Sequence, residues 1–237
     1  MKDLSNIDLV AIDCARPFEA LKALEYCNRF FKFNKSILFT DQVFSHSFVQ
    51  CHKIEKLSWQ GYSEFILRLN NYINNADYVM MIHEDGHIVN PHLWTDEFLN
   101  YDYIGAPWPN THSWLTQPHM NRVLPHLYRT FPRNRVGNGG FSIRSKKFLQ
   151  FSSQFSNCDG FGEDNFLCSV KYDDAIQYGI KYAPFELAQR FSYENSCTDS
   201  DVVWPTIPKY NMTKHFGWHG KYLTNSKQLL QLKYQYD

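Results

Sequence analysis

Short apolar runs alternate with helically spaced apolar positions over the N-terminal part of the chain. The apolar runs cover residues 7–12, 36–40 and 78–82, and a weaker extended stretch lies near 53–57. Helical spacing of apolar residues begins after Pro17 and again after Ser63, a residue type that caps helices well. This alternation predicts an α/β domain with a mostly parallel sheet and right-handed crossovers.

Acidic residues follow three of the predicted strands. Asp13 follows the first strand and Asp41 the second, and the third runs into His83, Glu84 and Asp85. In open α/β sheets ligands bind at the carboxyl ends of the strands, so we expect these acids to gather at one rim. No Gly-x-Gly-x-x-Gly follows the first strand and no P-loop motif occurs. The N-terminal half is therefore interpreted as a nucleotide-binding layer that is neither a dinucleotide-binding fold nor a P-loop fold.

The pattern loosens beyond Pro91 into segments rich in Trp, Pro and Gly. Helices are predicted near residues 145–155 and 164–172. No linker, repeat or low-complexity run divides the chain, so we expect one domain over residues 1–237.

Charge and composition limit the kinds of partner that we expect the protein to bind and the compartment in which we expect it. Lys plus Arg and Asp plus Glu number 24 each, so no net field favours nucleic acid. Aromatic residues make up 17% of the chain, and those outside the core suit flat ligands such as sugars and bases. The six cysteines form no CxxC pair, the N-terminus lacks the pattern of a signal, and no apolar run could cross a bilayer. We therefore expect a cytoplasmic protein that is soluble, or peripheral at a membrane.

The motif HEDG at 83–86 brings two adjacent carboxylates, Glu84 and Asp85, to the end of an apolar strand. Mg²⁺ and Mn²⁺ prefer oxygen ligands and bridge diphosphate oxygens, so such a pair suits a divalent ion. A plain acidic turn is the alternative interpretation.

The motif GFGEDNFL at 160–167 places Glu163 and Asp164 at the predicted start of a helix. A carboxylate at a Gly-rich junction can accept a proton from a hydroxyl, which makes Asp164 a candidate general base. Acidic residues in a first helical turn also interact favourably with the helix dipole, so a structural role is the alternative.

Residues 136–145, VGNGGFSIRS, contain three glycines within four positions around Asn138. With Gly139 and Gly140 lacking side chains, the backbone can approach a ligand closely, and its amides can hold a sugar or phosphate oxygen. A turn between two strands is the competing interpretation.

Residues 214–222, KHFGWHGKY, place His215 and His219 in a Gly-rich segment with Lys214 and Lys221 alongside. Histidine is a common metal ligand, and a lysine beside a diphosphate neutralises charge on a leaving group. Either histidine could instead have a structural role, and the spacing does not choose between them.

In this order the four motifs resemble those of GT-A glycosyltransferases. HEDG stands in the place of their D-x-D metal motif, GNGGFSIRS in that of the donor-sugar loop, GEDNFL in that of the base motif, and HFGWHGK in that of the late metal-binding histidine. YDYIGAPWP at 101–109, with GNGGFS and FGWHG, is similar to a little-characterised GT-A-like family of microbes and large DNA viruses. The resemblance covers about residues 7–222. It implies a hexosyltransferase-type enzyme with a mostly parallel central sheet, helices on both faces, a nucleotide-binding half near 1–100 and an acceptor and catalytic half near 101–237.

The resemblance also implies roles for individual residues on the donor side. Asp85, with Glu84 near it, and His219 would bind Mn²⁺ or Mg²⁺. The remaining donor contacts would come from Asp13 and Asp41 near the base and ribose, from Asn138, Gly139 and Gly140 near the sugar, and from Lys221 near the diphosphate. His83 occupies the first D-x-D position, where the family has Asp, so we expect fewer protein ligands for the ion.

The implied reaction transfers a sugar from a nucleoside-diphosphate sugar, UDP-linked, to a glycan or another hydroxyl acceptor. Asp164, with Glu163 beside it, would deprotonate the hydroxyl, and a single displacement would invert the anomeric centre. Trp108, Trp114 and Trp218 are candidate sugar platforms. A metal-dependent phosphohydrolase and a catalytically inactive carbohydrate-binding domain are the alternative functions.

Overall fold

The computed structural model describes residues 2–109, 115, 118–194 and 214–220. Its strands are β1 (Lys2–Ile12), β2 (Phe31–Thr40), β3 (Val49–Lys53), β4 (Tyr78–Ile82), β5 (Gly86–Ile88), β6 (Tyr103–Gly105), β7 (Phe141–Ser145), β8 (Ser192–Tyr193) and β9 (Gly217–His219). The α-helices are α1 (Pro17–Asn28), α2 (Trp59–Leu67), α3 (Leu124–Thr130), α4 (Lys146–Ser152), α5 (Glu163–Asn165), α6 (Tyr172–Tyr178) and α7 (Phe185–Phe191). A π-helical turn (Phe166–Val170) continues α5, and 3₁₀ turns lie at Leu69–Asn71, Pro91–Leu93, Asp96–Asn100 and Pro118–Met120.

Six strands form the central sheet in the order β3-β2-β1-β4-β7-β6. Strands β1 to β4 are parallel, whereas β7 runs antiparallel to both of its neighbours. The sheet is therefore mostly parallel, as the sequence pattern predicted. A second sheet of three short strands has the order β5-β9-β8.

Apolar side chains on both faces of the central sheet are covered by helices. On β1, Leu9 packs in the cluster that contains Leu24 of α1, whereas the next residue, Val10, packs with Phe65 of α2. Successive residues of a strand point to opposite faces, so a strand buried on both sides reads as one continuous apolar run. The predicted α/β fold with helices on both faces is confirmed. In the described part of the chain, no helix is long and apolar enough to cross a membrane.

The start of α2 differs from the sequence prediction. The helix begins at Trp59, and the Ser58 hydroxyl caps it by accepting a hydrogen bond of 3.0 Å from the Gly61 amide. Ser63, the predicted cap, lies inside the helix and is buried. Ser58 is therefore the N-cap of α2, and its backbone has the extended dihedral angles that are usual at this position.

Candidate active site

The second sheet joins the end of β4 to a distant segment of the chain. A tight turn follows β4, with the Gly86 amide bonded to the His83 carbonyl, and β5 then pairs with β9 so that Gly86 lies opposite His219. This pairing brings the His219 imidazole to the HEDG turn. His219 Nε2 lies 3.2 Å from Asp85 Oδ1 and 3.2 Å from His83 Nδ1. We call these three residues the His–Asp–His cluster.

The outer nitrogen of each imidazole in the His–Asp–His cluster has its own polar neighbour. Nε2 of His83 lies 2.5 Å from the Tyr62 hydroxyl, and Nδ1 of His219 lies 2.9 Å from Glu194 Oε2. Such outer partners fix the orientation of a histidine and leave its inner nitrogen directed at the site. The inner nitrogen of His219 therefore faces both Asp85 and the inner nitrogen of His83.

The charges of the cluster are strongly coupled. Burial favours the neutral form of Asp85, but the hydrogen bond and charge of His219 outweigh it and lower the pKa of Asp85 to about 2. Burial also opposes the charged form of His219, yet the charge of Glu194 and the hydrogen bond to Asp85 hold its pKa well above the usual range. The cluster thus attracts positive charge, which a bound cation would supply instead of a proton.

The donor set of the cluster fits a divalent metal ion. One ligand atom from each of His83, Asp85 and His219 can be chosen so that all three lie within 4.8 Å of one another. Two imidazole nitrogens and one carboxylate oxygen suit transition ions such as Mn²⁺ or Zn²⁺. His215 does not join them, because it is buried and its Nδ1 faces the Gln189 carbonyl oxygen.

A cavity of about 520 Å³ opens beside the cluster, at the carboxyl ends of β1 and β4. Asp13, His83, Glu84 and Asp164 all line it. Asp13 Oδ1 also accepts hydrogen bonds from the amides of the next loop, at 2.6 Å from Arg16 and 2.7 Å from Ala15. Asp13 therefore shapes the loop before α1 as well as facing the cavity.

Glu84 sits between the cluster and the β1–α1 loop. Burial raises its pKa, and the nearby carboxylates of Asp85 and Asp13 raise it further. Arg16 Nη1 lies 3.5 Å from Glu84 Oε1, and the arginine side chain is half exposed. A positive side chain therefore borders the same rim as the acids.

The two adjacent acids at the start of α5 have different environments. Glu163 is buried, and its Oε1 accepts a hydrogen bond of 2.8 Å from Nη2 of Arg144, which is almost fully buried. Asp164 is half-buried and lines the cavity, and its Oδ1 accepts a bond of 2.6 Å from the Asn165 amide. Burial and the charge of Glu163 raise the pKa of Asp164 to about 7. Asp164 is thus suited to exchange protons near neutral pH, whereas Glu163 is held in an ion pair.

The glycines of the GNGG segment make room for these side chains. A Cβ at Gly140 would overlap the His219 imidazole, and one at Gly139 would overlap the Glu163 carboxylate. Asn138 is buried, and its backbone N–H donates a hydrogen bond of 3.3 Å to the carbonyl of Ala106, the residue after β6. Gly139 and Gly140 therefore leave room for side chains of the site, those of Glu163 and His219.

Some of the remaining sequence candidates lie away from the cavity, and others fall outside the described residues. Asp41 follows β2 and does not line the cavity, and its buried Oδ1 has no hydrogen-bond partner among the described residues. Lys221 and Trp114 fall outside the described residues. The prediction that Trp108 and Trp218 are sugar platforms is wrong for both, because they are only 3% and 2% exposed and pack in the interior.

Several residues of the site were missed in the sequence. His83 departs from the acidic motif, yet its position beside two acids is itself a signal for a metal ligand. Tyr62 and Trp59 stand one helical turn apart on the helix that precedes β4, a spacing that puts both on one face. No local signal marks Glu194 or Arg144, because their partners lie far away in the sequence.

Comparisons with known proteins agree with this architecture. Residues 46–205 match the family described as a protein of unknown function (DUF5672). A comparison with curated proteins finds no significant match. The crystal structure of the galactosyltransferase LgtC in complex with donor and acceptor sugar analogues is 12% identical, with a TM-score of 0.53 over 96% of this chain and 95% of that one. An active-site mutant of LgtC is 11% identical, with a TM-score of 0.52 over 96% and 94% of the two chains. The likeness establishes a shared GT-A-like fold.

Proposed function

Since the chain belongs to the DUF5672 family, whose function is unknown, we propose its function from the site itself: a metal-dependent glycosyltransferase. The donor is a nucleoside-diphosphate sugar, UDP-linked, and the acceptor is a glycan or another hydroxyl compound. The observation that carries the proposal is that His83 of the His–Asp–His cluster and the half-buried Asp164 line the same cavity. The shared fold with LgtC, which was crystallised with donor and acceptor sugar analogues, supports it.

The metal-binding part of the proposal assigns the ion to His83, Asp85 and His219. A divalent ion there, Mn²⁺ rather than Mg²⁺ because two of its ligands are imidazoles, would stabilise the negative charge of a departing diphosphate. Tyr62 and Glu194 orient the two imidazoles, so that their inner nitrogens need not reorganise when the ion binds.

The nucleotide side of the cavity is assigned to the N-terminal half of the chain. Asp13 and Glu84 lie at the ends of β1 and β4, where α/β sheets bind their ligands. Asp13 accepts bonds from the ribose or base, and the half-exposed Arg16 beside Glu84 supplies positive charge for phosphate. Asp41, Asn138, Gly139 and Gly140 remain proposed donor residues, although they do not line the cavity. Lys221, which lies outside the described residues, remains a proposed diphosphate contact.

Asp164 is assigned as the general base. Its raised pKa makes it a stronger base than an exposed aspartate while it stays largely ionised at slightly alkaline pH. As it removes the proton from the acceptor hydroxyl, the oxygen forms a bond to C1 of the donor sugar. The bond from C1 to the diphosphate oxygen breaks, and the electron pair leaves with the diphosphate. Attack from the opposite face inverts C1, and Glu163 positions Asp164 through its ion pair with Arg144.

A thermal-shift and transfer assay with a panel of UDP-sugars, with and without Mn²⁺, tests the proposal. A ligand that binds the folded state raises Tm, so at least one UDP-sugar should do so in a Mn²⁺-dependent manner. Asp85→Asn should abolish this dependence while the fold is retained. Asp96→Asn, an exposed acid paired with Lys2, is the matched control and should behave as the wild type.

Each alternative function gives a different result in the same assay. Release of phosphate from a phosphomonoester, without sugar transfer, would make the protein a phosphohydrolase. Binding of saccharides without any response to UDP-sugars and Mn²⁺ would make it a carbohydrate-binding domain.

A further inference from the structure

The N-terminal end of α2 presents a tryptophan to the cavity. Trp59 is 65% exposed and lines the cavity wall. Its indole makes no hydrogen bond or ring contact with another described residue. The two other tryptophans of the site region, Trp108 and Trp218, are buried. A large exposed ring on the wall of a cavity that also holds carboxylates presents an apolar surface to a ligand.

Gly162 links this ring to the proposed base. A Cβ built at Gly162 would lie 3.6 Å from Cζ2 of Trp59 and 3.1 Å from Oδ1 of Asp164. The indole edge and the carboxylate therefore approach the same point beside Gly162. A side chain at residue 162 would lie between the two groups, and glycine leaves that space free.

The same helix separates this region from the metal side. Tyr62, one turn after Trp59, contacts His83 of the His–Asp–His cluster at 2.5 Å. Along α2, Tyr62 thus contacts the cluster, whereas Trp59, one turn earlier, lies next to Gly162 and approaches Asp164. A donor whose diphosphate is held at the cluster occupies the Tyr62 side, which leaves the Trp59 side for the second substrate.

We propose that Trp59 and Gly162 form the acceptor subsite, in which the indole stacks on a pyranose ring and directs one of its hydroxyls to Asp164. This inference rests on the proposed function of Asp164. A pyranose has a face of C–H groups and a rim of hydroxyls, which matches an aromatic ring next to a carboxylate. The acceptor class is accordingly a pyranose sugar, free or at the end of a glycan, rather than a lipid or peptide hydroxyl.

Saccharide binding measured without turnover tests the subsite. The probes are methyl β-D-galactopyranoside and methyl β-D-glucopyranoside, titrated by saturation-transfer NMR and by tryptophan fluorescence, and UDP with Mn²⁺ is titrated separately. Trp59→Ala should weaken binding of at least one glycoside by roughly tenfold, because the stacking face is removed, whereas Trp59→Phe should retain most of it. The UDP affinity should not change in either variant. Tyr128→Ala is the matched control, since Tyr128 is 59% exposed on α3 and does not line the cavity.

The outcomes separate this inference from the proposed function. Unchanged glycoside binding in Trp59→Ala, or no binding of either glycoside to the wild type, overturns the acceptor subsite. Loss of UDP affinity in Trp59→Ala with intact glycoside binding also overturns it, and makes Trp59 a platform for the nucleotide base. Glycoside binding that depends on Trp59, combined with no response to UDP and Mn²⁺, upholds the sugar subsite and instead rejects the transferase.

Discussion

The His–Asp–His cluster and the acidic start of α5 border one cavity but hold their carboxylates in different ways. Asp85 is surrounded by imidazoles, and its pKa is lowered to about 2. Asp164 lies beside the like charge of Glu163, and its pKa is raised to about 7. Glu163 takes the nearby arginine, so Asp164 is left with amide donors. The comparison shows that partners, more than residue type, decide whether an acid stays charged or exchanges protons.

The largest expected effect concerns Asp164, the acid whose raised pKa suits proton exchange. Asp164→Asn should reduce turnover by roughly 10²–10⁴-fold, the usual contribution of a positioned base, while the donor affinity is almost unchanged. Steady-state transfer kinetics and UDP titration measure the two quantities. Asp174→Asn is the matched control, because Asp174 also lies in a first helical turn, at α6, but is exposed and away from the cavity. Near-normal turnover in Asp164→Asn would rule out the assignment as base.

The next effect tests what holds Glu163 in place. Arg144→Met should lower the free energy of unfolding by roughly 3–5 kcal/mol, because it leaves Glu163 as an uncompensated buried charge. Urea unfolding followed by circular dichroism measures this. Arg133→Met, which removes an exposed ion pair with Asp173, should change stability little. Equal effects of the two substitutions would contradict the difference in burial.

A smaller effect is expected at the outer partners of the cluster. Glu194→Gln should weaken Mn²⁺ binding by roughly 10–100-fold, since the carboxylate orients His219 and increases its basicity. Calorimetric titration of Mn²⁺ in the absence of substrate gives the affinity. Glu97→Gln, at an exposed glutamate paired with Arg190, is the control. An unchanged affinity in Glu194→Gln would mean that His219 needs no such partner.

The smallest effect concerns the pH dependence of activity and stability that Asp164 introduces. A base must be ionised, so kcat/KM should fall about tenfold per pH unit below the raised pKa of Asp164, near 7. The free energy of unfolding depends on pH in the opposite direction. The folded state binds the Asp164 proton more tightly than the unfolded chain does, so this group makes stability decrease as the pH rises from about 4 to about 7. Both dependences should vanish in Asp164→Asn, and an acid limb that persists there belongs to another group.

Much of the fold could be predicted from the sequence because its signals are local. The apolar runs at β1 and β4 and the acids that follow them are readable without a structure, and the mostly parallel sheet is confirmed. The roles assigned to Asp85, His219 and Asp164 stay predictions, although their motifs do meet at one place in the fold.

The parts that the sequence could not predict depend on long-range pairing. Glu194 meets His219 because β8 and β9 are neighbours in the second sheet. Arg144 reaches Glu163 from a strand of the central sheet, and no spacing rule encodes that distance. The aromatic residues show the same limitation, because the composition cannot tell that Trp108 is buried and Trp59 exposed.

The pairing of β5 with β9 joins the site to a segment that is synthesised after the whole central sheet. All six strands of the central sheet lie before Lys146, and they can come together while later residues are still inside the ribosome. His83 and Asp85, two members of the His–Asp–His cluster, then stand at the rim. The third member, His219, arrives with β9 and occupies the space that Gly140 leaves open. A nascent chain that stops before β9 would therefore carry the central sheet with His83 and Asp85 but without His219.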